Sequence, residues 1–259
     1  MTTWKGCGMP TIVHLTDLHL DEWLNNLEIA LGFEELREIT ADVVLIGGDN
    51  GMPDDVARTV GEVRERWPSC SVGWVMGNHE LWHQRYDILW KQPSPEGAVY
   101  LEERNLETPS CTVVGSYGHY DYSGGDPEIP VEDYEAYRHG GLGWNDWLID
   151  RRGKTNPEIA AEVAHRFERR YDAALARGRP VIVVTHTLPF VELCGWPRSF
   201  YGAYGTNSLL GKIILARDPK PAALFCGHTH KPLRTEVFGF PMINTGSDYE
   251  EVRVTVWEL

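Results

Sequence analysis

Residues 222–230 read AALFCGHTH, an apolar run followed by a glycine and two histidines spaced two residues apart. The run has the length and character of a strand buried on both faces, as in parallel sheets. In an extended turn, residues two positions apart can point to the same side, so His228 and His230 can present their imidazoles together. The stretch predicts a strand of an α/β sheet with a pair of metal-type ligands at its carboxyl end.

Other apolar runs are followed by the same kinds of residue. These runs are 10–16, 42–48, 71–77 and 180–186, and the polar side chains at their ends are Asp17, His19, Asp49, Asn78, His79, Glu80 and His186. Ligands of α/β sheets bind beyond the carboxyl ends of the strands, so we expect these side chains to converge. Mixed imidazole and carboxylate ligands suit Mn, Fe or Zn better than Ca or Mg.

Helical periodicity separates these runs and predicts a layered α/β architecture. The predicted helices cover about 21–39, a segment beginning at Pro53, a segment capped by Asn156–Pro157, and about 207–216. We expect one domain over residues 1–259, with a Tyr-, Trp- and Gly-rich insert at about 116–150. The insert, like the aromatic stretch 193–205, is predicted to be either a cap that shapes a substrate pocket or a small satellite core.

The bulk properties exclude several classes of protein. The formal net charge is −14, which disfavours binding to a nucleic-acid backbone. No apolar run reaches the roughly 18 residues of a membrane-spanning helix, and the first residues lack a signal-peptide pattern, so we expect a cytoplasmic protein. The five cysteines form no CxxC pair, which indicates reduced, mostly buried thiols. Of the histidines outside the motifs, we expect His14 to be structural and His119 to lie at the surface or in a loop.

The motifs in chain order are DLH (17–19), GD (48–49), GNHE (77–80), TH (185–186) and GHTH (227–230). This order resembles that of the calcineurin-like metallophosphoesterases, whose pattern is D-x-H, G-D, G-N-H-[D/E], H and G-H-x-H, and every position is filled. The resemblance implies a four-layer α/β/β/α sandwich with a centre of two metal ions. It also implies hydrolysis of a phosphoester by a hydroxide that bridges the two ions.

The resemblance also implies a role for each motif residue. One ion would be bound by Asp17, His19, Asp49 and His230, and the other by Asp49, Asn78, His186 and His228. His79 would be the general acid, and Glu80 would orient it through a hydrogen bond. Manganese or iron is the expected metal, with zinc as an alternative.

Departures from the pattern of the phosphoprotein phosphatases narrow the expected reaction. Their G-D-x-H-G and G-D-x-V-D-R-G motifs are absent, and no arginine stands beside Asp49 or Asn78 to bind a phosphomonoester dianion. Arg85 lies close in sequence, and Arg198 is another arginine that could bind a phosphate. The chain therefore looks more like the phosphodiesterase-type branch, with a small phosphoester, possibly a nucleotide, as substrate. The alternatives are a phosphomonoesterase or nucleotidase, a non-catalytic metal-binding scaffold, and a nuclease.

Overall fold

The computed structural model describes residues 10–195, 197–249 and 251–259. The strands in chain order are β1 (Thr11–Leu15), β2 (Val43–Ile46), β3 (Ser71–Trp74), β4 (Ala98–Tyr100), β5 (Leu106–Glu107), β6 (Thr112–Ser116), β7 (Arg138–His139), β8 (Leu142–Gly143), β9 (Val181–Thr185), β10 (Ala223–Cys226), β11 (Leu233–Thr235), β12 (Met242–Asn244) and β13 (Thr255–Glu258). The α-helices are α1 (Asn26–Gly32), α2 (Pro53–Arg66), α3 (Val131–Glu135), α4 (Asn156–Leu175) and α5 (Ser208–Leu215). Short 3₁₀ helices lie at Glu34–Leu36, His79–Leu81, Tyr86–Trp90, Asn145–Leu148, Val191–Leu193 and Tyr201–Tyr204.

The strands form two main sheets with parallel centres. The first sheet has the order β13-β1-β2-β3-β4, and β13 alone is antiparallel to its neighbour. The second has the order β11-β12-β10-β9-β6-β5, with antiparallel pairs at its two edges. Parallel neighbours end at the same edge of a sheet, so the loops that follow β1, β2 and β3 meet, as do those that follow β9 and β10.

Alternation of side chains along the strands builds the layers. Ile12 and Leu45 of the first sheet pack with Ile182 and Phe225 of the second in a cluster between the sheets. The opposite faces are covered by helices: α1 and α2 pack on the first sheet, and most of the buried face of α4 packs with α5 on the second. This is the four-layer α/β/β/α arrangement that the resemblance implies.

The helix predicted over 21–39 is wrong in extent. It is replaced by α1 and the 3₁₀ helix Glu34–Leu36, separated by Phe33 with extended backbone (ψ 138°). Residues 20–25 form turns instead: the His19 carbonyl accepts the amides of Glu22 and Trp23 (3.0 and 2.8 Å), and His19 itself has φ +46°, outside the right-handed helical region. The turn that presents the ligand loop therefore delays the helix.

The other predicted helices are confirmed, with one change at a terminus. Thr155, and not Asn156, is the N-cap of α4: its hydroxyl accepts the Glu158 amide at 3.3 Å, and the Glu158 carboxylate accepts the Thr155 amide at 2.8 Å. This reciprocal pair is a capping box, whose T-x-x-E spacing stands in the sequence.

The insert contributes a core of its own. Tyr120, Tyr134 and Tyr137 pack with Phe200 and Tyr204, so the two aromatic stretches form one cluster. The satellite-core prediction is therefore confirmed for both stretches.

Cysteines and membrane propensity agree with the sequence where the structure describes them. Cys70, Cys111, Cys194 and Cys226 are buried, while Cys7 lies outside the described residues. None of the helices in the described ranges combines the length and apolar character needed to span a membrane.

Candidate metal centre

The loops after five strands meet at the edge where both sheets end. The Asp17 amide donates to the Gly48 carbonyl (3.0 Å), which joins the β1 and β2 loops. The His228 amide donates to Oδ1 of Asp17 (2.8 Å), which joins the β10 loop of the second sheet to the first. The seven predicted metal ligands consequently lie in one region, and all except the partly exposed His230 are buried.

The backbone at this edge is strained. Five of the predicted ligands have φ between +46° and +69°, a region that non-glycine residues rarely adopt: Asp17, His19, Asp49, His228 and His230. Each such conformation costs on the order of 1–3 kcal/mol and persists where the surroundings impose it, most often at functional sites. This clustering favours a binding site over a set of ordinary loop ends.

Two glycines leave room for the carboxylates. A Cβ atom on Gly77 would lie 2.0 Å from Oδ1 of Asp49 and 2.5 Å from its backbone nitrogen. A Cβ atom on Gly227 would lie 2.2 Å from Oδ2 of Asp17. The Gly-Asn-His and Gly-His-x-His motifs therefore need glycine for close approach to the carboxylates of other loops.

We predict that Gly77→Ala lowers stability by about 1–3 kcal/mol, because overpacking must displace the Asp49 backbone. The matched control is Gly61→Ala in the middle of α2, where a Cβ meets nothing within 4 Å; it is expected to stabilise the helix by up to about 1 kcal/mol. Urea unfolding of both metal-free variants checks this. Equal stability of Gly77→Ala and the wild type would contradict the packing described here.

The first group of candidate ligands is Asp17, His19 and His230, whose ligand atoms lie within 4.8 Å of one another. Nε2 of His230 is 3.2 Å from Nε2 of His19 and 3.6 Å from Oδ1 of Asp17. Nδ1 of His230 faces Asp248 at 3.3 Å. A carboxylate on the outer nitrogen is the arrangement that orients metal-binding histidines.

The second group is Asp49, His186 and His228. Nε2 of His186 is 3.1 Å from Nδ1 of His228, 3.3 Å from Oδ2 of Asp49 and 3.1 Å from Oδ1 of Asn78. The outer nitrogens of both rings face carbonyls at 2.9 Å: Nδ1 of His186 faces Gly47, and Nε2 of His228 faces Tyr204.

These contacts make the second group suitable for a cation. When both imidazoles are neutral, each can give its single N–H to a carbonyl, and the two inner nitrogens then carry lone pairs that point at each other and at the carboxylate. Burial would lower the pKa of His186, but the Asp49 charge outweighs burial and raises that pKa to about 9. Burial and the charge of His186 lower the pKa of His228 to about 3. Without a metal ion, a proton on His186 therefore supplies a positive charge beside Asp49, and a divalent cation bound there would take its place.

Asp49 lies between the two groups. Besides its contact with His186, its carboxylate lies within 4.8 Å of ligand atoms of His19 and His79. Burial would raise the pKa of Asp49, but the positive charges of His186 and His79 lower it well below the usual range. An ionised carboxylate in this position fits a ligand shared by two cations.

His79 lies beside the first group with 7% of its surface exposed. Its ring stacks on Trp82 (centroids 3.7 Å apart, planes 28° apart) and lies 4.4 Å from the ring of His19. Nδ1 is 3.9 Å from Oδ2 of Asp21. Burial would lower its pKa, but Asp49 and Asp21 raise the pKa of His79 to about 9.

The predicted role of Glu80 is wrong. Its buried carboxylate accepts three backbone amides, from Gly77 (2.7 Å), Asn50 (2.8 Å) and Asp49 (3.1 Å), and it does not hydrogen-bond the His79 ring in the described structure. Glu80 follows His79 in a 3₁₀ helix, so its side chain turns behind the site. It ties the β2 loop to the β3 loop, and Asp21 is the carboxylate beside the His79 ring.

Several site contacts lie outside the predicted set. Asp21 follows His19 by two residues, the spacing that relates Asp17 to His19, so local sequence carried a signal for it. Asp248 and Trp82 come from segments without a motif. Of the other histidines, His14 is buried and hydrogen-bonded to Thr245 (2.7 Å), as expected for a structural residue. His119 lies in a loop, which is one of the two predicted alternatives, but it is buried and contacts Oδ1 of Asn156 through Nε2 (2.9 Å).

The two arginines considered for phosphate binding have other partners. Arg85 is exposed and paired with Asp87 at 3.0 and 2.5 Å. Arg198 donates to the carbonyl of Ser123 at 2.7 Å.

The chain is similar in sequence pattern and in fold to known proteins. The family model for calcineurin-like phosphoesterases matches residues 10–232. Among solved structures, the chain is similar to the phosphopantetheinyl hydrolase of Mycobacterium tuberculosis, with 19% identity, a TM-score of 0.65 and coverage of 96% of each chain. It is also similar to a dimetal phosphatase from Danio rerio, with 13% identity, a TM-score of 0.56 and coverage of 98% of this chain and 93% of that one. No curated protein sequence matches this chain.

Proposed function

This chain belongs to the calcineurin-like phosphoesterase family, and we propose that it hydrolyses a phosphodiester bond of a small substrate at a centre of two metal ions. In this proposal Asp17, His19 and His230 bind one ion, and Asn78, His186 and His228 bind the other. Asp49 is shared. The converging lone pairs of the second group and the position of Asp49 between the groups support this assignment. Manganese or iron fits the ligand mixture, and zinc is the alternative.

The chain's own residues would orient the reaction around the metals. Bound cations of this kind activate water for attack and neutralise charge on phosphoryl oxygens. Asp248 and the carbonyls of Gly47 and Tyr204 would fix the tautomers of His230, His186 and His228, so that their inner nitrogens stay available.

His79 would donate a proton to the leaving oxygen. Its ring borders the ligand groups, and packing between Trp82 and His19 limits its rotation. General acid catalysis of this kind typically contributes about 10²–10⁴-fold to the rate. The presence of a histidine at this position favours an enzyme over a non-catalytic scaffold.

The preference for a diester rests on the arginines. A phosphomonoester carries nearly two charges at neutral pH, and proteins commonly bind such a group with bidentate arginine. Arg85 and Arg198 have other partners, while Asp21 and Asp248 add negative charge beside His79 and His230. This surrounding favours a substrate whose phosphate has a single charge. The chain has a formal net charge of −14, which disfavours binding to a nucleic-acid backbone, so we do not propose a nucleic acid as the substrate.

The test is hydrolysis of bis(p-nitrophenyl) phosphate and p-nitrophenyl phosphate by metal-stripped protein with and without Mn²⁺. We expect Mn²⁺-dependent turnover, with kcat/KM at least about tenfold higher for the diester, a difference of roughly 1.4 kcal/mol in transition-state binding. A preference for the monoester would instead support a phosphatase or nucleotidase. The name of the Mycobacterium tuberculosis protein suggests a phosphopantetheinyl ester as a further substrate to include.

A further inference from the structure

The insert reaches the candidate metal centre through one carboxylate. Asp146 lies in the 3₁₀ helix Asn145–Leu148 and has no exposed surface. Its Oδ1 accepts two hydrogen bonds, from Nδ2 of Asn78 at 3.0 Å and from Nε1 of Trp82 at 2.8 Å. Burying a carboxylate costs free energy unless it is hydrogen-bonded, and both donors to Asp146 are residues that border the candidate metal centre.

The bond to Asn78 determines which end of the amide faces the metal centre. The indole N–H of Trp82 can only donate, so Oδ1 of Asp146 is an acceptor, and the NH₂ group of Asn78 must face it. The amide oxygen is thereby turned to the other side, where it lies 3.1 Å from Nε2 of His186. A flipped amide would instead place two N–H donors among the ligand atoms, where they would repel a cation.

The hydrogen bond to Trp82 holds the residue that packs against His79, the proposed general acid. The indole of Trp82 is the surface on which His79 stacks, with centroids 3.7 Å apart. Oδ1 of Asp146 therefore contacts two residues of the site. Of these, Asn78 lies beside His186 and Trp82 lies beside His79.

We propose that Asp146 is a positioning residue that sets the oxygen of Asn78 toward the ion bound by His186 and His228 and fixes Trp82 beneath His79. The inference rests on the proposed function, since it takes Asn78 as a metal ligand. It assigns the insert a role in assembling the site, in addition to covering apolar surface.

Mn²⁺ titration of the metal-stripped proteins, followed by calorimetry, tests this role without relying on turnover. Asp146→Ala is expected to weaken one of the two Mn²⁺ sites by about 10–100-fold, the usual effect of removing a group that orients a ligand. Asp146→Asn can keep an acceptor oxygen but loses the charge, and charge-assisted bonds are roughly twice as strong as neutral ones. We therefore expect a smaller loss at the same site.

Two further variants separate positioning from general loosening. In an Asn78→Ala background, Asp146→Ala should cause no additional loss of Mn²⁺ affinity, because its effect passes through Asn78. The matched control is Asp150→Ala, which removes an exposed carboxylate four positions further along and should leave both Mn²⁺ sites unchanged.

The outcomes are distinct. Wild-type affinity at both sites in the Asp146 variants that fold would overturn the inference, and so would equal weakening at both sites. Asp146→Asn keeps the shape of the side chain, so it provides this test even if Asp146→Ala does not fold. Failure of the wild-type protein to bind Mn²⁺ would defeat the proposed function itself.

Discussion

Asp49→Asn is expected to weaken both Mn²⁺ sites and to lower turnover of a phosphodiester by about a thousandfold or more, since metal ions contribute several kcal/mol to transition-state stabilisation and each 1.4 kcal/mol is about a factor of ten. The substitution keeps the shape of the side chain, and its Oδ1 can still accept the His79 amide (2.9 Å in the wild type). The charge that lies between the two ligand groups is lost.

A matched control distinguishes this effect from a general change of charge. Asp54→Asn makes the same substitution at an exposed position in the first turn of α2, and it should bind Mn²⁺ and turn over diester like the wild type. Mn²⁺ titration and kcat on bis(p-nitrophenyl) phosphate are measured for both. Loss of a single ion in Asp49→Asn would show that Asp49 serves one site and is not shared.

His79→Ala should lose about 10²–10⁴-fold in kcat for a phosphodiester with an alkoxide leaving group, because such a group needs a proton as it departs. Nitrophenolate leaves readily as an anion, so hydrolysis of bis(p-nitrophenyl) phosphate should fall far less. Binding of both Mn²⁺ ions should be retained, because the proposed ligand sets do not include this ring.

The control for His79 is His83→Ala, four residues further along the chain and exposed, which should leave both substrates unaffected. Equal losses on the two substrates would exclude proton donation as the role of His79. Since its ring also lies within ligand distance of His19 and Asp49, loss of an ion in His79→Ala would identify it as a metal ligand.

Strands and ligand positions were predictable because they depend on short stretches of sequence. Buried parallel strands are continuous apolar runs, and the residues that follow them must lie at one edge of the sheet. The convergence of Asp17, Asp49 and His228 needed no knowledge of side-chain packing.

The errors occur where a long-range contact decides the structure. Leu24 and Leu27 fit a helical period, but the turn at His19 delays the helix to Asn26 and leaves Leu24 63% exposed. Glu80 stands beside His79 in sequence, yet it accepts two amides of the β2 loop and the Gly77 amide of the β3 loop. The spacing of residues along the sequence does not show which hydrogen-bond donors from other loops a side chain will contact.

The insert was the least predictable part of the site. Its residues show no regular period, so nothing in the sequence pairs Asp146 with Asn78, which lies 68 positions away. The burial of His119 in its loop was unpredictable for the same reason: its partner Asn156 belongs to α4, and only the folded chain brings them together.

The most direct test of the proposed two-metal centre is Mn²⁺ titration of the metal-stripped wild-type protein, with heat of binding and hydrolysis of bis(p-nitrophenyl) phosphate recorded on the same samples. A centre of two metal ions predicts two bound ions per chain, no turnover without metal, and turnover that reaches its maximum when the second ion binds. Full turnover by the metal-free protein, or saturation of binding and activity at a single ion, would contradict it.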